Sequence, residues 1–168
     1  ELKPAEIEVT ETGTTFMANA RLKASEVAKA VDKWSIADDS GLAVDALEGS
    51  PGIYSARYGK TNEERINRLL RELGNTENRQ AKFICAIAIA NPQGKIILAT
   101  EGVCPGEILD SPRGANGFGY DPIFYVPSQE QTFAEMPPEI KSKISHRGVA
   151  FTQLMPELQA LSNRFATE

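Results

Sequence analysis

The sequence predicts an α/β fold in which a mixed sheet is flanked by helices, and two observations support this prediction. Apolar residues recur every three or four positions in residues 16–33 and again from about Arg147, which is the spacing of one face of an α-helix. Residues 83–90 are apolar on both faces and partly β-branched, as in a central strand. Because the predicted strands and helices intermix without strict alternation, we expect a mixed sheet within one domain of 168 residues.

Local signals place the ends of the helices. The predicted helices are residues 16–33, residues 61–73, a short helix that Pro137 and Pro138 open and that ends near Ile144, and a last helix from about Arg147. The turn-like residues 11–15 offer capping hydroxyls to the first helix, and Gly74 stands just beyond the end of the second. The predicted core-facing residues are Phe16, Ala20, Val27 and Val31 on the first helix, and Phe151, Leu154, Leu158, Leu161 and Phe165 on the last.

Short apolar runs between turn residues mark the strands. The predicted strands are residues 2–9, a run that ends at Asp38 and Asp39, residues 42–47, residues 83–90, residues 95–100 and residues 123–126. Residues 91–94 form a turn, which predicts a hairpin between two of these strands. The chain opens at Glu1 within the first predicted strand, so we expect that N-terminal residues are missing from this sequence.

Composition excludes several classes of protein. The net charge of -5 argues against a nucleic-acid-binding protein that works by neutralising phosphates. No apolar run reaches transmembrane length and there is no secretory signal, so we expect no membrane partner. The two cysteines, Cys85 and Cys104, do not make a disulfide framework, which predicts a reducing, cytoplasmic location. A single histidine leaves no His-rich zinc site.

An apolar run stops abruptly at Asp38 and Asp39, which are followed by Ser40 and Gly41. Carboxylates are costly to bury unless a cation or hydrogen-bond donors compensate them, so two at the end of a strand suggest a metal or acid–base site. The alternative is an ordinary turn, since Asp, Ser and Gly are common turn residues.

Three further polar clusters interrupt the core pattern. They are Glu11 with Lys23, residues 118–121 after a glycine-rich loop, and the group Lys141, Ser142, Lys143, Ser145, His146 and Arg147. Carboxylates suit Mg²⁺, cations suit phosphate oxygens, and an aromatic ring beside glycines can stack on a flat base. Together they predict a nucleotide polyphosphate site.

Each cluster also has a structural interpretation. Lys23 can snorkel to the helix edge, residues 141–143 can form a solvated helix face, His146 can be structural and Phe118 can belong to the core. The glycine loop matches neither a P-loop nor the Rossmann fingerprint.

Longer motifs carry a family resemblance. Residues 37–47 read ADDSGLAVDAL and residues 51–58 read PGIYSARY; residues 117–124 read GFGYDPIF; Lys141 precedes SHRG at 145–148; and residues 11–16 read ETGTTF, followed by Asn19 and Ala20. In this order the motifs resemble the inosine triphosphate pyrophosphatase family, in its bacterial dITP/XTP pyrophosphatase branch. The resemblance covers nearly the whole chain.

The resemblance implies a reaction and a site. Members hydrolyse ITP, dITP and XTP to the monophosphate and pyrophosphate, which removes these nucleotides from the pool. They need Mg²⁺, form homodimers and fold as an elongated, twisted sheet with two lobes and a central cleft. By position, Asp39 resembles the proton acceptor and a Mg²⁺ ligand, with Glu11 as second ligand and Asp38 assisting. The substrate contacts implied are Lys23, Ser40, Phe118, Gly119, Tyr120, Asp121, Lys141, His146 and Arg147.

The chain departs from the family pattern at two places. The family's Ser/Thr-x-Asn-x-x-Lys phosphate loop is absent from this sequence, and Ala18 stands where many members carry Glu. Two alternatives to the pyrophosphatase hypothesis remain at this stage. One is a nucleotide-binding module without catalysis, and the other is a related pyrophosphatase that acts on modified pyrimidine nucleotides.

Overall fold

The computed structural model of the chain describes residues 7–166, and within them it confirms the α/β class. The helices are α1 Phe16–Val31, α2 Asn62–Leu73, α3 Pro138–Ile144 and α4 His146–Ala166. The strands are β1 Ser35–Val44, β2 Gln80–Ala90, β3 Ile96–Ile108, β4 Phe124–Val126 and β5 Gln131–Thr132. Short 3₁₀ turns cover Asp45–Leu47, Gly52–Arg57, Asp121–Ile123 and Pro127–Gln129. None of the helices in this part of the chain is long and apolar enough to cross a membrane.

The five strands form one sheet in the order β1-β2-β3-β4-β5. Strand β4 runs antiparallel to β3, with Glu107 opposite Tyr125, and antiparallel to β5. The predicted turn joins β2 to β3: the Asn91 N–H donates to the Lys95 carbonyl, and Gly94 takes the left-handed backbone conformation (φ 77°) that this turn requires. The predicted strand 2–9 lies largely outside the described residues, and residues 7–9 are not part of a strand.

Capping explains why the helices begin and end near their predicted bounds. The Thr15 hydroxyl accepts from the Ala18 N–H at the start of α1, and the Thr61 hydroxyl accepts from the Glu64 N–H at the start of α2. Gly74 ends α2 with a positive φ of 55°. Ser145 separates α3 from α4, since its hydroxyl accepts from the Gly148 N–H at 3.2 Å. The last helix therefore begins at His146, within a residue of the prediction.

The described chain divides into two compact units. Unit 1 comprises residues 7–39, Cys85–Gly102 and residues 150–166. Its core is built from Cys85, Ile87, Ile89, Ala150 and Leu154, with Ile36, Leu98 and Leu158 packed against them. Helix α1 buries Ala20, Ala24 and Ala28 completely, so small side chains dominate its inner face.

Unit 2 comprises Ser40–Ile84 and Val103–Val149. Its core is aromatic at the centre: the Phe83 ring lies 4.6 Å from that of Phe124 and stacks on Phe133 at 5.7 Å. Leu42, Val44, Ile66, Leu69, Ile108 and Ile123 surround these rings.

Three sequence predictions are corrected. The run through Asp38 and Asp39 does not end there but continues to Val44 as one strand, because Gly41 to Val44 are buried and remain in the sheet; the separate strand predicted at residues 42–47 is therefore wrong, and Asp45–Leu47 form a 3₁₀ turn. Strand β3 extends to Ile108, since small buried residues such as Cys104 and Gly106 continue its alternation beyond the apolar run. The predicted core-facing residues of the first and last helices are also corrected. Val31 and Phe151 are exposed, and alanines at four-residue spacing line the inner face of α1.

Candidate functional site

Asp39 is the centre of a charged cluster in unit 1. Its Oδ1 accepts a hydrogen bond from Lys23 Nζ at 3.0 Å, and its Oδ2 accepts from the side-chain amide of Asn19 at 3.3 Å. The same Lys23 ammonium lies 3.0 Å from Glu11 Oε1. The structure thus brings together three of the predicted site residues, with one ammonium between two carboxylates.

Helix α1 and the segment before it arrange this cluster. Asn19 and Lys23 are four residues apart, which places them one above the other on the same helix face. The Asn19 side-chain oxygen accepts from the Gly13 N–H at 2.8 Å, so the segment that carries Glu11 is tied to the first turn of the helix. The alternative in which Lys23 only snorkels to solvent is wrong, because its ammonium makes two ion pairs.

Burial and the neighbouring charges shift two pKa values in this cluster. Burial raises the pKa of Asp39, and the Glu11 carboxylate adds to this, while Lys23 and Asn19 offset part of the shift. Burial works to lower the pKa of Lys23, but its hydrogen bonds to Asp39 and Glu11 outweigh this and raise it. Lys23 is therefore charged at neutral pH, and Asp39 is a more basic carboxylate than one in water.

Asp38 points to the other face of β1, as alternation along a strand requires. Its carboxylate lies 4.0 Å from the Cys85 thiol, a member of the unit 1 core, whereas Asp39 faces α1. The structure therefore separates the two adjacent carboxylates that the sequence analysis had grouped. Ser40 follows on the same strand and is half-buried.

The donor set of this cluster fits a hard divalent cation. Residues 7–166 contain no group of three or more His, Cys, Asp or Glu side chains that could hold a metal. Mg²⁺ does not need such a cage, since it is held by one or two carboxylates together with waters and substrate phosphates. Glu11 and Asp39 already converge on one cation, the Lys23 ammonium, so their oxygens can share another.

A second cluster lies in unit 2 around the buried carboxylate of Asp121. Its Oδ2 accepts from Lys141 Nζ at 2.5 Å and from the Phe118 N–H at 2.8 Å. The Gly117 backbone packs directly against this carboxylate. Gly117 has a positive φ of 77°, and a Cβ at this position would clash with the carboxylate. The loop leaves Phe118 73% exposed, with Lys141 Nζ 5.3 Å from its ring centre.

The interpretation of Phe118 as a core residue is therefore wrong. The interpretation of residues 141–143 as a solvated helix face holds for Ser142 and Lys143, which are exposed, but not for Lys141, which pairs with Asp121. The arrangement presents a flat aromatic face beside a positive charge.

The remaining predicted site residues of unit 2 differ in their burial and in their contacts. Tyr120 is buried, and its hydroxyl donates to the Ser55 carbonyl at 2.8 Å; burial raises its pKa, so it stays neutral. Gly119 also takes a positive φ, as Gly114 and Gly117 do in the same loop. The His146 ring stacks on Phe83 at 4.8 Å, which supports a structural contribution, and Arg147 is exposed in the first turn of α4.

Sequence reasoning noted Asn19 and Gly13 within a motif but gave neither a role. The signal that could have found Asn19 is its position: a polar residue at the inner edge of an alanine-lined helix face, four residues before Lys23. The sequence alone does not show which carboxylate Asn19 contacts, because this depends on how the sheet packs against α1.

Comparisons with known proteins identify the family of the chain. A family model described as the Ham1 family matches residues 1–157. The chain is 65% identical over 160 residues to the dITP/XTP pyrophosphatase of Nostoc sp., covering 95% of this chain and 82% of that protein. It is 61% identical, with the same coverage, to the dITP/XTP pyrophosphatase of Synechocystis sp..

Solved structures are similar as well. The Staphylococcus aureus Ham1 protein matches with a TM-score of 0.88 and 49% identity, over 92% of this chain and 82% of that chain. A HAM1 protein from Coxiella burnetii matches with a TM-score of 0.87 and 46% identity, over 92% and 81%. The resemblance drawn from the sequence motifs is confirmed, and the chain belongs to the Ham1 family.

Proposed function

We propose that this protein hydrolyses the noncanonical purine nucleoside triphosphates dITP, XTP and ITP to the monophosphate and pyrophosphate. The observation that carries the proposal is the convergence of Glu11 and Asp39 on one cation position, in a chain 65% identical to a protein named dITP/XTP pyrophosphatase. Two carboxylates around a cation suit the attack of water on the α-phosphorus, in which the bond to the leaving pyrophosphate breaks.

Asp39 is the proposed proton acceptor for the attacking water. A general base works best when its pKa is raised toward the operating pH, and burial raises the pKa of Asp39. The hydrogen bond from Asn19 fixes one carboxylate oxygen, which restricts the direction from which the other can take a proton.

Glu11 and Asp39 are the proposed Mg²⁺ ligands, because their oxygens converge; Asp38 faces the other side of β1 and would assist only through the strand. When bound, Mg²⁺ would neutralise phosphate charge and stabilise the leaving pyrophosphate. Lys23 would exchange a carboxylate partner for a phosphate oxygen. Ser40 lies on the same face of β1 as Asp38, so its proposed contact with a phosphate would be made from that face.

Residues of unit 2 are proposed to bind the base. The exposed ring of Phe118 can stack on a purine, and Gly119, Tyr120 and Asp121 shape the loop that holds it. Lys141, His146 and Arg147 complete the proposed substrate contacts. Lysine and arginine only donate, so they match the 6-oxo group of hypoxanthine and xanthine and oppose the 6-amino group of adenine.

The proposal extends to the setting of the reaction. Residues 1–168 would form one nucleoside-triphosphate pyrophosphatase domain, with Mg²⁺ as cofactor, a homodimer as the assembly and the cytoplasm as the location. Analytical ultracentrifugation of the purified protein measures the assembly directly.

The test is a substrate panel with the full-length protein and Mg²⁺, in which pyrophosphate and orthophosphate are measured separately. We expect pyrophosphate from dITP, XTP and ITP, and far less from dATP. Tight binding of dITP without release of any product would favour the binding module. Release of pyrophosphate from modified pyrimidine nucleotides alone would favour the related pyrophosphatase.

A further inference from the structure

Asn19 is a buried polar residue on the inner face of α1, with only 1% of its surface exposed. An amide in such a place is costly unless both of its polar groups are hydrogen-bonded. Here both are: the side-chain oxygen accepts from the Gly13 N–H at 2.8 Å, and the side-chain nitrogen donates to Asp39 Oδ2 at 3.3 Å.

Chemistry alone fixes the orientation of this amide. The Gly13 N–H can only donate, so the group that faces it must be the Asn19 oxygen. The NH₂ group is then left for Asp39, whose carboxylate only accepts when ionised. A flipped amide would place donor against donor on one side and oxygen against oxygen on the other.

Gly13 allows the close approach on which this arrangement depends. A Cβ at this position would lie 2.5 Å from the Asn19 side-chain oxygen and 2.8 Å from the Ala18 Cβ, both far inside contact distance. The backbone of the segment that carries Glu11 can therefore reach the helix only with glycine here.

We propose that Asn19 is a positioning residue, which holds the Asp39 carboxylate and, through Gly13, the Glu11 segment in one fixed frame. This inference rests on the proposed function, in which Asp39 accepts the proton of water. It assigns Oδ2 of Asp39 to Asn19 and leaves Oδ1, which faces Lys23, for the cation and the reaction.

A neutral amide suits this task better than a charged group. Glu11 and Asp39 repel each other, and the Lys23 ammonium that contacts both of them offsets this repulsion. When phosphate draws Lys23 away, a neutral donor still holds Asp39 without competing for the metal. A carboxylate turns readily about its last torsion, so a fixed hydrogen bond at one oxygen also sets the direction of the other.

The kinetic test compares two substitutions of Asn19. Asn19→Asp keeps an oxygen for the Gly13 N–H but removes the donor to Asp39, while Asn19→Ala removes both contacts without adding charge. We expect both to lower kcat for dITP at saturating Mg²⁺ by about 10- to 100-fold, the range for residues that orient a metal ligand. We expect KM to stay within about threefold of wild type, since substrate contacts are retained.

Asn91→Asp is the matched control. Its side-chain oxygen also accepts a backbone N–H, that of Lys95 at 2.9 Å, in the hairpin turn of the same unit. We expect this variant to keep kcat and KM. If kcat is unchanged in Asn19→Ala and falls only in Asn19→Asp, the added charge is the cause and the proposal is overturned.

A second test measures thermal stability and does not depend on catalytic activity. In the variant that combines Asn19→Asp with Asp39→Asn, donor and acceptor exchange places and the hydrogen bond is restored. We expect Asn19→Asp to lower Tm and the double variant to recover most of the loss, so that the effects of the single changes do not add. Additive changes in Tm would overturn the proposal.

The two tests separate the possible failures. A wild-type protein that releases no pyrophosphate refutes the proposed function and the positioning role with it, even where the Tm values still show the contact. An active wild-type protein with unchanged kcat in both Asn19 variants refutes the positioning role alone.

Discussion

Each unit of the molecule contains a lysine that pairs with carboxylates, but Lys23 contacts two of them and Lys141 contacts Asp121. In unit 1, Lys23 lies between Glu11 and Asp39, so one positive charge faces two negative ones. In unit 2, Lys141 pairs with Asp121, which also accepts a backbone N–H from the glycine-rich loop. The first cluster brings two carboxylates to one cation position, which suits a divalent cation, while the second pairs one lysine with one carboxylate and shapes a loop.

The size of the buried side chains also differs between the two units. Helix α1 in unit 1 buries Ala20, Ala24 and Ala28, which keeps its backbone close to its neighbours and lets Asn19 reach Asp39. Unit 2 is centred on three phenylalanine rings. We infer that substitutions in the charged cluster of unit 1 mainly lower the reaction rate, and that substitutions in the centre of unit 2 mainly lower the free energy of unfolding.

The largest expected effect is that of Asp39→Asn. This change keeps the size of the side chain and removes the proton acceptor, so we expect kcat for dITP to fall by about 10²- to 10⁴-fold, the usual contribution of a general base. Circular dichroism should show an unchanged fold. Asp45→Asn, an exposed position just after β1, is the matched control and should keep its rate. A near-normal rate for Asp39→Asn would exclude its role as the base.

Phe124→Ala should have the largest effect on stability. Phe124 is fully buried between the rings of Phe83 and Phe133, so its removal leaves a cavity and should cost about 3–5 kcal/mol in urea unfolding. Phe151→Ala in unit 1 is the control, because that ring is exposed and its loss should cost about 0.5 kcal/mol. Equal losses would contradict the contrast drawn between the units.

Lys141→Ala should act on binding. Its ammonium lies beside the Phe118 ring, so we expect KM for dITP to rise about tenfold, the value of one charged hydrogen bond, with a smaller change in kcat. Lys143→Ala, an exposed position on the same helix, should leave KM unchanged. Because Asp121 loses its partner, folded protein should be confirmed by thermal melting before the assay. An unchanged KM would leave Lys141 with a structural role alone.

The sequence predicted the elements whose signals are local. Thr15, Thr61 and Gly74 cap helices through contacts within a few residues, and the helices begin or end beside them. The path of β1 through Asp38 and Asp39 could not be predicted in this way, because pairing with β2 outweighs the turn preference of these residues.

The same distinction applies to the candidate site. Lys23 was predicted to meet an anion or to snorkel, and the sequence could not show that two of the predicted metal ligands are its partners. Once β1 is known to continue through Asp38 and Asp39, strand geometry places their side chains on opposite faces of the sheet. The contact between Asn19 and Asp39 joins residues 20 apart and needs the packed helix.

The smallest expected effect concerns the two buried cysteines, one in each unit. Burial raises the pKa of the Cys104 thiol in unit 2 from 9.0 to about 11. A raised pKa in the folded state means that the stabilisation is complete below pH 9 and is lost as the pH rises toward 11, because the unfolded chain ionises first. We expect the free energy of unfolding to fall by about 1–2 kcal/mol over this interval on account of Cys104.

Urea unfolding at pH 8.5 and pH 11 measures this loss, and two variants assign it. Cys104→Ala should show a smaller fall between the two pH values than wild type, although the cavity lowers its stability at both. Cys85→Ala, which removes the buried thiol of unit 1 that lies beside Asp38, retains Cys104 and should keep the full fall. An equal fall in wild type and Cys104→Ala would mean that other groups, such as Tyr58 with its pKa raised by burial to about 12, govern the alkaline limit of unit 2.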